Sequence, residues 1–314
     1  MSTIERRCTP SLSTDCPAAA GRPVAERIPT RDAVLREGLK IRRALPAKQR
    51  RMIGPWCFLD HFGPAELGSG GGLRVGPHPH TGLQTFTWPL AGEILHRDSL
   101  GYRQLIQPGQ VNLLTAGRGI SHSEESPPGH GPLLHGAQLW IALPGRHRQA
   151  DPAFEHYPEL PVLQRGGFRL TVLAGSLCGE KAPTRMLTPL VGADLTSEGP
   201  AGIELTLDPA FEYGALVLAG GARLGAEPLV PGALLYLGRG RDRLAVTSGS
   251  ATRLLLLGGP PFGEEILIWW NFIGRDRKEI SAAVAAWNAG DARFGAVRGY
   301  PGERLPAPLP PWDR

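Results

Sequence analysis

The chain has 314 residues, of which 41% are hydrophobic and 20% charged, with 42 glycines, 31 prolines and a net charge of +5. That apolar share excludes a disordered chain, the wealth of turn formers excludes an all-helical bundle, and the length suits about two domains. No apolar run reaches the ~18 residues that cross a bilayer, and no apolar segment follows Arg6-Arg7, so neither a membrane span nor a secretory leader is read.

The cysteines (Cys8, Cys16, Cys57, Cys178) lack metal-type spacing and read as free thiols of a reducing, cytoplasmic compartment. Charge is uneven. Residues 1–51 hold 12 Lys/Arg against 5 Asp/Glu, yet carry no interleaved aromatics, so a solvated arm is expected there and not a nucleic-acid contact. Residues 1–30 show no periodicity and are expected to be poorly ordered. From Ile53 to Phe62 an apolar, aromatic stretch reads as the first core segment, and Gly68 to Gly72 as a flexible loop. Short alternating stretches follow at Gln84–Leu90, Glu93–His96, Arg103–Ile106 and Val111–Thr115, each closed by Gly or Pro, at the spacing of a β-sandwich or barrel.

A repeat emerges when two regions are aligned. Pro89-Leu-Ala-Gly-Glu93 is followed by Pro108–Gly119, and Val217-Leu-Ala-Gly-Gly221 by Pro231–Gly240. Both read as strand, Gly turn, strand, Pro-Gly turn, strand, Gly-Arg-Gly turn, which predicts two similar β-barrels in tandem. The end departs from this pattern. Ile266–Ile273 is strongly apolar, Arg275–Ala289 places Ile280, Ala283, Val284 and Trp287 at helical spacing, and five prolines in the last fourteen residues predict an extended tail.

Two segments carry metal-binding chemistry. In His78-Pro79-His80, residues i and i+2 of a strand point to one face, and the same holds for His122 and Glu124 after Gly117-Arg-Gly119. Two strands of one barrel would thus gather three imidazoles and a carboxylate, a donor set that suits iron, manganese, copper, nickel or zinc.

The run Gly72-x5-His78-x-His80-x3-Gln84 resembles the first cupin motif, with Gln where the usual fourth ligand is Glu, and Gly119-x2-His122 resembles the second. The pattern is closer still to pirins, through Phe58-Leu-Asp-His-Phe-Gly-Pro64, His96-Arg-Asp-Ser-Leu-Gly101 and Thr115–Glu124. The resemblance spans roughly residues 35–290 and implies an all-β fold of two tandem, jelly-roll-like cupin barrels with a C-terminal helix. It implies a metal-binding cupin over 35–165 and a cupin-like domain without metal ligands over 166–314 that carries the helix and Pro-rich tail, which leaves the basic, aperiodic residues 1–34 as a flexible arm. Pirin ligands map onto His78, His80, His122 and Glu124, with Fe(II) as the implied ion. In the second barrel the corresponding count lands on Thr206 and Asp208, and no histidine follows Gly240.

Two activities are implied. One is a quercetin 2,3-dioxygenase-type reaction on a flavonol-like substrate with dioxygen, in which Glu124 is the catalytic base and Phe86, Trp88 and Leu113 wall the pocket. The other is a redox-dependent regulatory role through a protein partner. A structural zinc site closed by the same four ligands is a third reading. A monomer is expected. Elsewhere, His61 reads as a hydrogen-bonded core or turn residue, and His96 as either a support for a ligand imidazole or a surface turn residue. Gln84 reads as a barrel-lining residue or a partner of metal-bound water, Arg118 as a solvent-facing turn residue, and Trp269-Trp270 as core. His130, His135, His147 and His156 read as ordinary.

Overall fold

The computed structural model describes residues 8–34, 39–67 and 72–314. Each half of the chain builds a seven-stranded and a four-stranded sheet in matching order. In the first half the large sheet runs Ala153–Tyr157, Val111–Thr115, Leu83–Ala91, Leu133–Ala142, Trp56–Glu66, Lys40–Leu45, Arg31–Val34, and the small one Arg74–His80, Ile120–Glu125, Ile94–Asp98, Arg103–Ile106. In the second half the large sheet runs Val162–Arg165, Phe168–Ala174, Val191–Ser197, Thr252–Gly259, Glu212–Ala219, Ala233–Gly238, Pro23–Pro29, and the small one Ala201–Thr206, Arg243–Ser248, Ala222–Leu224, Glu227–Leu229. This is the tandem, all-β barrel architecture that the repeat and its Gly turns predict.

Strand alternation explains how the barrels join. In Thr252–Gly259, Leu254 and Leu256 fill the second barrel, whereas Leu255 and Leu257 meet Trp56, Leu59, Phe86, Trp88, Leu113 and Leu139 of the first. Both faces of the strand are therefore apolar and buried, and the two large sheets pack face to face. Phe86, Trp88 and Leu113 lie in this interdomain core, so they do not wall the interior of the first barrel; the inward residues of the Leu83–Ala91 strand include Thr85 and Thr87, one position out of phase.

Two segments cross between the halves. Pro23–Pro29 closes the large sheet of the second barrel by pairing with Ala233–Gly238, while Arg31–Val34 pairs with Lys40–Leu45 in the first. The expected poorly ordered arm is, over residues 8–34, a stitch between the barrels; its backbone finds edge strands to pair with, which periodicity in the segment itself does not reveal. Residues 1–7 and most of the Gly68–Gly72 loop lie outside the described residues.

The C-terminal segment crosses the other way. Trp269, Trp270, Phe272, Ile280, Val284, Trp287 and Phe294 pack with Phe62, Val75 and Ile94 of the first barrel. The helix Arg277–Ala289 begins at Asp276, whose side chain accepts the Glu279 N–H, and ends at Gly290 with φ 79°. Its buried face is Ile280, Ala283, Val284 and Trp287, as the spacing predicts, but it covers the first barrel and not the second.

Candidate metal centre

His78 and His80 sit two apart on the Arg74–His80 strand, and His122 lies directly opposite His78 on Ile120–Glu125. All three are buried. Their ligand nitrogens lie within 4.8 Å of one another, and among the described residues this is the group of histidine, cysteine or acidic side chains that could hold an ion.

The orientation of each ring is set by a hydrogen bond on its far side. His78 Nδ1 donates to the Gly76 carbonyl at 2.8 Å, and His80 Nδ1 to the Asn271 carbonyl at 3.2 Å. A carbonyl accepts only, so both rings carry their proton on Nδ1 and keep the Nε2 lone pair for the centre. His122 Nδ1 lies 3.4 Å from Nδ1 of His96, and its Nε2 lies 3.0 Å from Nε2 of His80. Burial lowers His78 to about 4 and holds His80 and His122 well below the usual imidazole range, so the rings are neutral at physiological pH. Neutral nitrogen donors aimed at one point in a protein interior fit a divalent first-row cation.

Glu124 is buried two residues further along the strand than His122, opposite His96, and its Oε1 lies 3.3 Å from the Thr87 hydroxyl. Its carboxylate is not part of the 4.8 Å group. A bulge sets this spacing, since the register against Arg74–His80 shifts between His122 and Glu124.

Aromatic rings close the other side. Trp140 meets His80 edge-on at 5.3 Å and stacks on Phe58 at 4.0 Å. Phe58 and Trp270 line a cavity of about 330 Å³ that also presents Arg31, Arg43, Lys48 and Arg51. The Arg43 guanidinium lies over Phe58 and grips buried Asp60 through two hydrogen bonds of 2.7 and 2.8 Å.

The other candidates separate cleanly. Gln84 points away from the histidines, donating to Thr115 Oγ1 and the Arg185 carbonyl. His61 is buried and its Nε2 lies 2.8 Å from that of His135, outside the metal group; burial and neighbouring charges lower the pair to about 3 and 4. Arg118 pairs with Asp151 at the surface. His96 is buried against Phe154, so it is no surface turn residue. Asp98, Trp140 and Asn271 were not singled out by the sequence. Asp98 could have been, because His96-x-Asp98 obeys the same i, i+2 rule; Asn271 could not, since it arrives from 191 residues away.

A family model described as pirin matches residues 38–141, and one described as the pirin C-terminal cupin domain matches residues 192–295. A Pseudomonas aeruginosa protein that bears a provisional quercetin 2,3-dioxygenase name is 54% identical over 312 residues, covering 99% of this chain and 98% of that one. A Caulobacter vibrioides pirin-like protein is 35% identical over 277 residues, covering 86% and 94%. A crystal structure described as quercetin 2,3-dioxygenase from Acinetobacter baumannii superposes with a TM-score of 0.89 at 46% identity, covering 91% of this chain and 96% of that one. With its two family domains, its paired barrels and its histidine centre in the first of them, the chain belongs to the pirin family of bicupins.

Proposed function

We propose that the chain is an iron-dependent dioxygenase of the quercetin 2,3-dioxygenase type, acting on a flavonol-like phenolic substrate. The observation that carries the reading is the convergence of three neutral, tautomer-fixed imidazoles in the first barrel. The relatives from Pseudomonas and Acinetobacter bearing that enzyme name support it. His78, His80 and His122 would hold the ion, and Glu124, whose carboxylate lies outside their 4.8 Å group, would complete the set as fourth ligand by a side-chain movement toward it. Bound there, an iron ion would supply Lewis acidity to an enolic hydroxyl and an electron route to dioxygen.

The chain's own groups have distinct tasks. Glu124, the carboxylate next to His122 on the strand, takes the proton of the substrate's 3-hydroxyl at one of its carboxylate oxygens. Thr87 Oγ1 shares its one hydroxyl proton between Oε1 of that carboxylate at 3.3 Å and Gln138 Oε1 at 3.0 Å. Trp140 and Phe58 exclude water from the His80 side, and the Asp60–Arg43 pair fixes Phe58 in place.

The test is oxygen uptake coupled to loss of flavonol absorbance by anaerobically iron-loaded protein. Turnover that falls by about 100-fold or more in Glu124→Gln, with the ion retained, is the expected result for a general base. Absence of turnover with iron, manganese, copper, nickel and zinc alike would overturn the reading.

A further inference from the structure

Asp98 has no task in the chemistry above, yet its carboxylate is buried and fully committed. Oδ1 accepts the backbone N–H groups of Leu100 at 2.9 Å and Tyr102 at 3.1 Å, while Oδ2 lies 3.0 Å from His96 Nε2. His96 stacks on Phe154 at 4.3 Å with 12° between the planes, and its Nδ1 lies 3.4 Å from Nδ1 of His122. Strand register builds this line, for Asp98 lies opposite His122 and His96 opposite Glu124.

With an ion shared by His80 Nε2 and His122 Nε2 and with His96 neutral, the protons in the line have one consistent order. A carboxylate accepts only, so His96 carries its proton on Nε2 and offers the Nδ1 lone pair. His122 then donates from Nδ1, which leaves its lone pair on Nε2, the nitrogen facing His80. The reverse order would set an unprotonated His96 nitrogen against the carboxylate and a proton on the atom that must bind the ion. We propose that Asp98, acting through His96, fixes His122 in its metal-binding tautomer. The proposal rests on the metal-centre reading and makes Asp98 and His96 positioning residues. At His78 and His80 a backbone carbonyl performs this task; at His122 a side-chain relay does.

The capping of Asp98 makes the proposal sharp. Two backbone N–H groups hold Oδ1, so in Asp98→Asn the amide oxygen stays there and the NH2 faces His96. A metal-bound His122 would then force the His96 N–H against an amide N–H. Removing both His96 nitrogens relieves that conflict, and His96→Phe keeps the stack on Phe154.

The experiment is Zn(II) competition against a chromophoric chelator for wild type, Asp98→Asn, His96→Phe and the double variant. Histidine ¹H–¹⁵N spectra of the zinc-loaded wild type accompany it. Asp98→Asn is expected to weaken binding by about 10–100-fold, the range for loss of an outer hydrogen-bond partner. His96→Phe should weaken it less, and the double variant should recover to the His96→Phe level. The spectra should place protons on His122 Nδ1 and His96 Nε2. Wild-type affinity in Asp98→Asn, a double variant no tighter than Asp98→Asn, or a proton on His96 Nδ1 in the zinc-loaded wild type would overturn the proposal alone. A wild-type chain that takes up no zinc would overturn the metal-centre reading and the relay with it.

Discussion

In the first barrel the small sheet turns His78, His80, His122 and Glu124 inward. At the matching places of Ala201–Thr206 and Arg243–Ser248, the second barrel turns in Ile203, Leu205, Leu244 and Val246, packed among Leu254, Leu256, Phe168 and Leu237. One strand order thus supports two interiors. The polar one must find partners for its nitrogens and oxygens, and draws one from far along the chain, the Asn271 carbonyl that receives His80 Nδ1 at 3.2 Å. The apolar one needs only shape. The apolar interior makes the second barrel a plain scaffold, and the two barrels share one interface core.

If that division holds, the largest change comes from His80→Ala. Affinity for Zn(II) or Fe(II) should drop by more than the ~100-fold that loss of an outer partner can cost, with the fold retained by circular dichroism. Retained affinity would break the comparison. Leu256→Ala in the apolar interior should cost about 2–5 kcal/mol in urea unfolding and leave metal stoichiometry unchanged. A change in stoichiometry would show the two interiors to be coupled.

Trp88 Nε1 donates to Asp194 Oδ2 at 2.7 Å across the domain boundary. Trp88→Phe is expected to cost about 1.5–3 kcal/mol, the worth of a hydrogen bond to a charged group, measured by the same unfolding.

Acid should find the histidines next. His61, His78 and His135 are held at about 3, 4 and 4 in the folded state, below the ordinary value of 6.5. Between pH 6.5 and 4 the unfolded chain therefore binds protons that the folded chain does not. Stability of the metal-free protein should fall with falling pH, by up to ~1.4 kcal/mol per pH unit for each such histidine. Chemical denaturation at pH 7 and pH 5 checks this, and equal stability at both would contradict the buried, neutral state. Asp276→Ala, which removes a helix cap, should cost only about 1 kcal/mol of unfolding free energy.

Much of this was legible in the residues, because period two is written into strands. His78-x-His80 announces two imidazoles on one face whatever the rest of the fold does, and Ile280, Ala283, Val284 and Trp287 announce a helix face just as locally. Failures came where parity had to be fixed by packing from the other side. Phe86 and Trp88 are as apolar as a pocket wall, but the second barrel claims them. Thr206 and Asp208 are exposed, and the inward positions lie one residue away at Leu205 and Leu207, an ambiguity that a short alternating strand leaves open until its partner sets the register. Pro23–Pro29 and Asn271 were illegible for a different reason. Their roles depend on partners roughly 200 residues distant, and no local pattern encodes such a pairing.

The most direct test of the central assignment is an anomalous-difference map from crystals loaded with zinc or iron. A single strong peak per chain is expected, at roughly 2.0–2.2 Å from Nε2 of His78, His80 and His122. A peak at the His61–His135 pair, ligation through Nδ1, or a second peak of equal height inside the apolar barrel would contradict it.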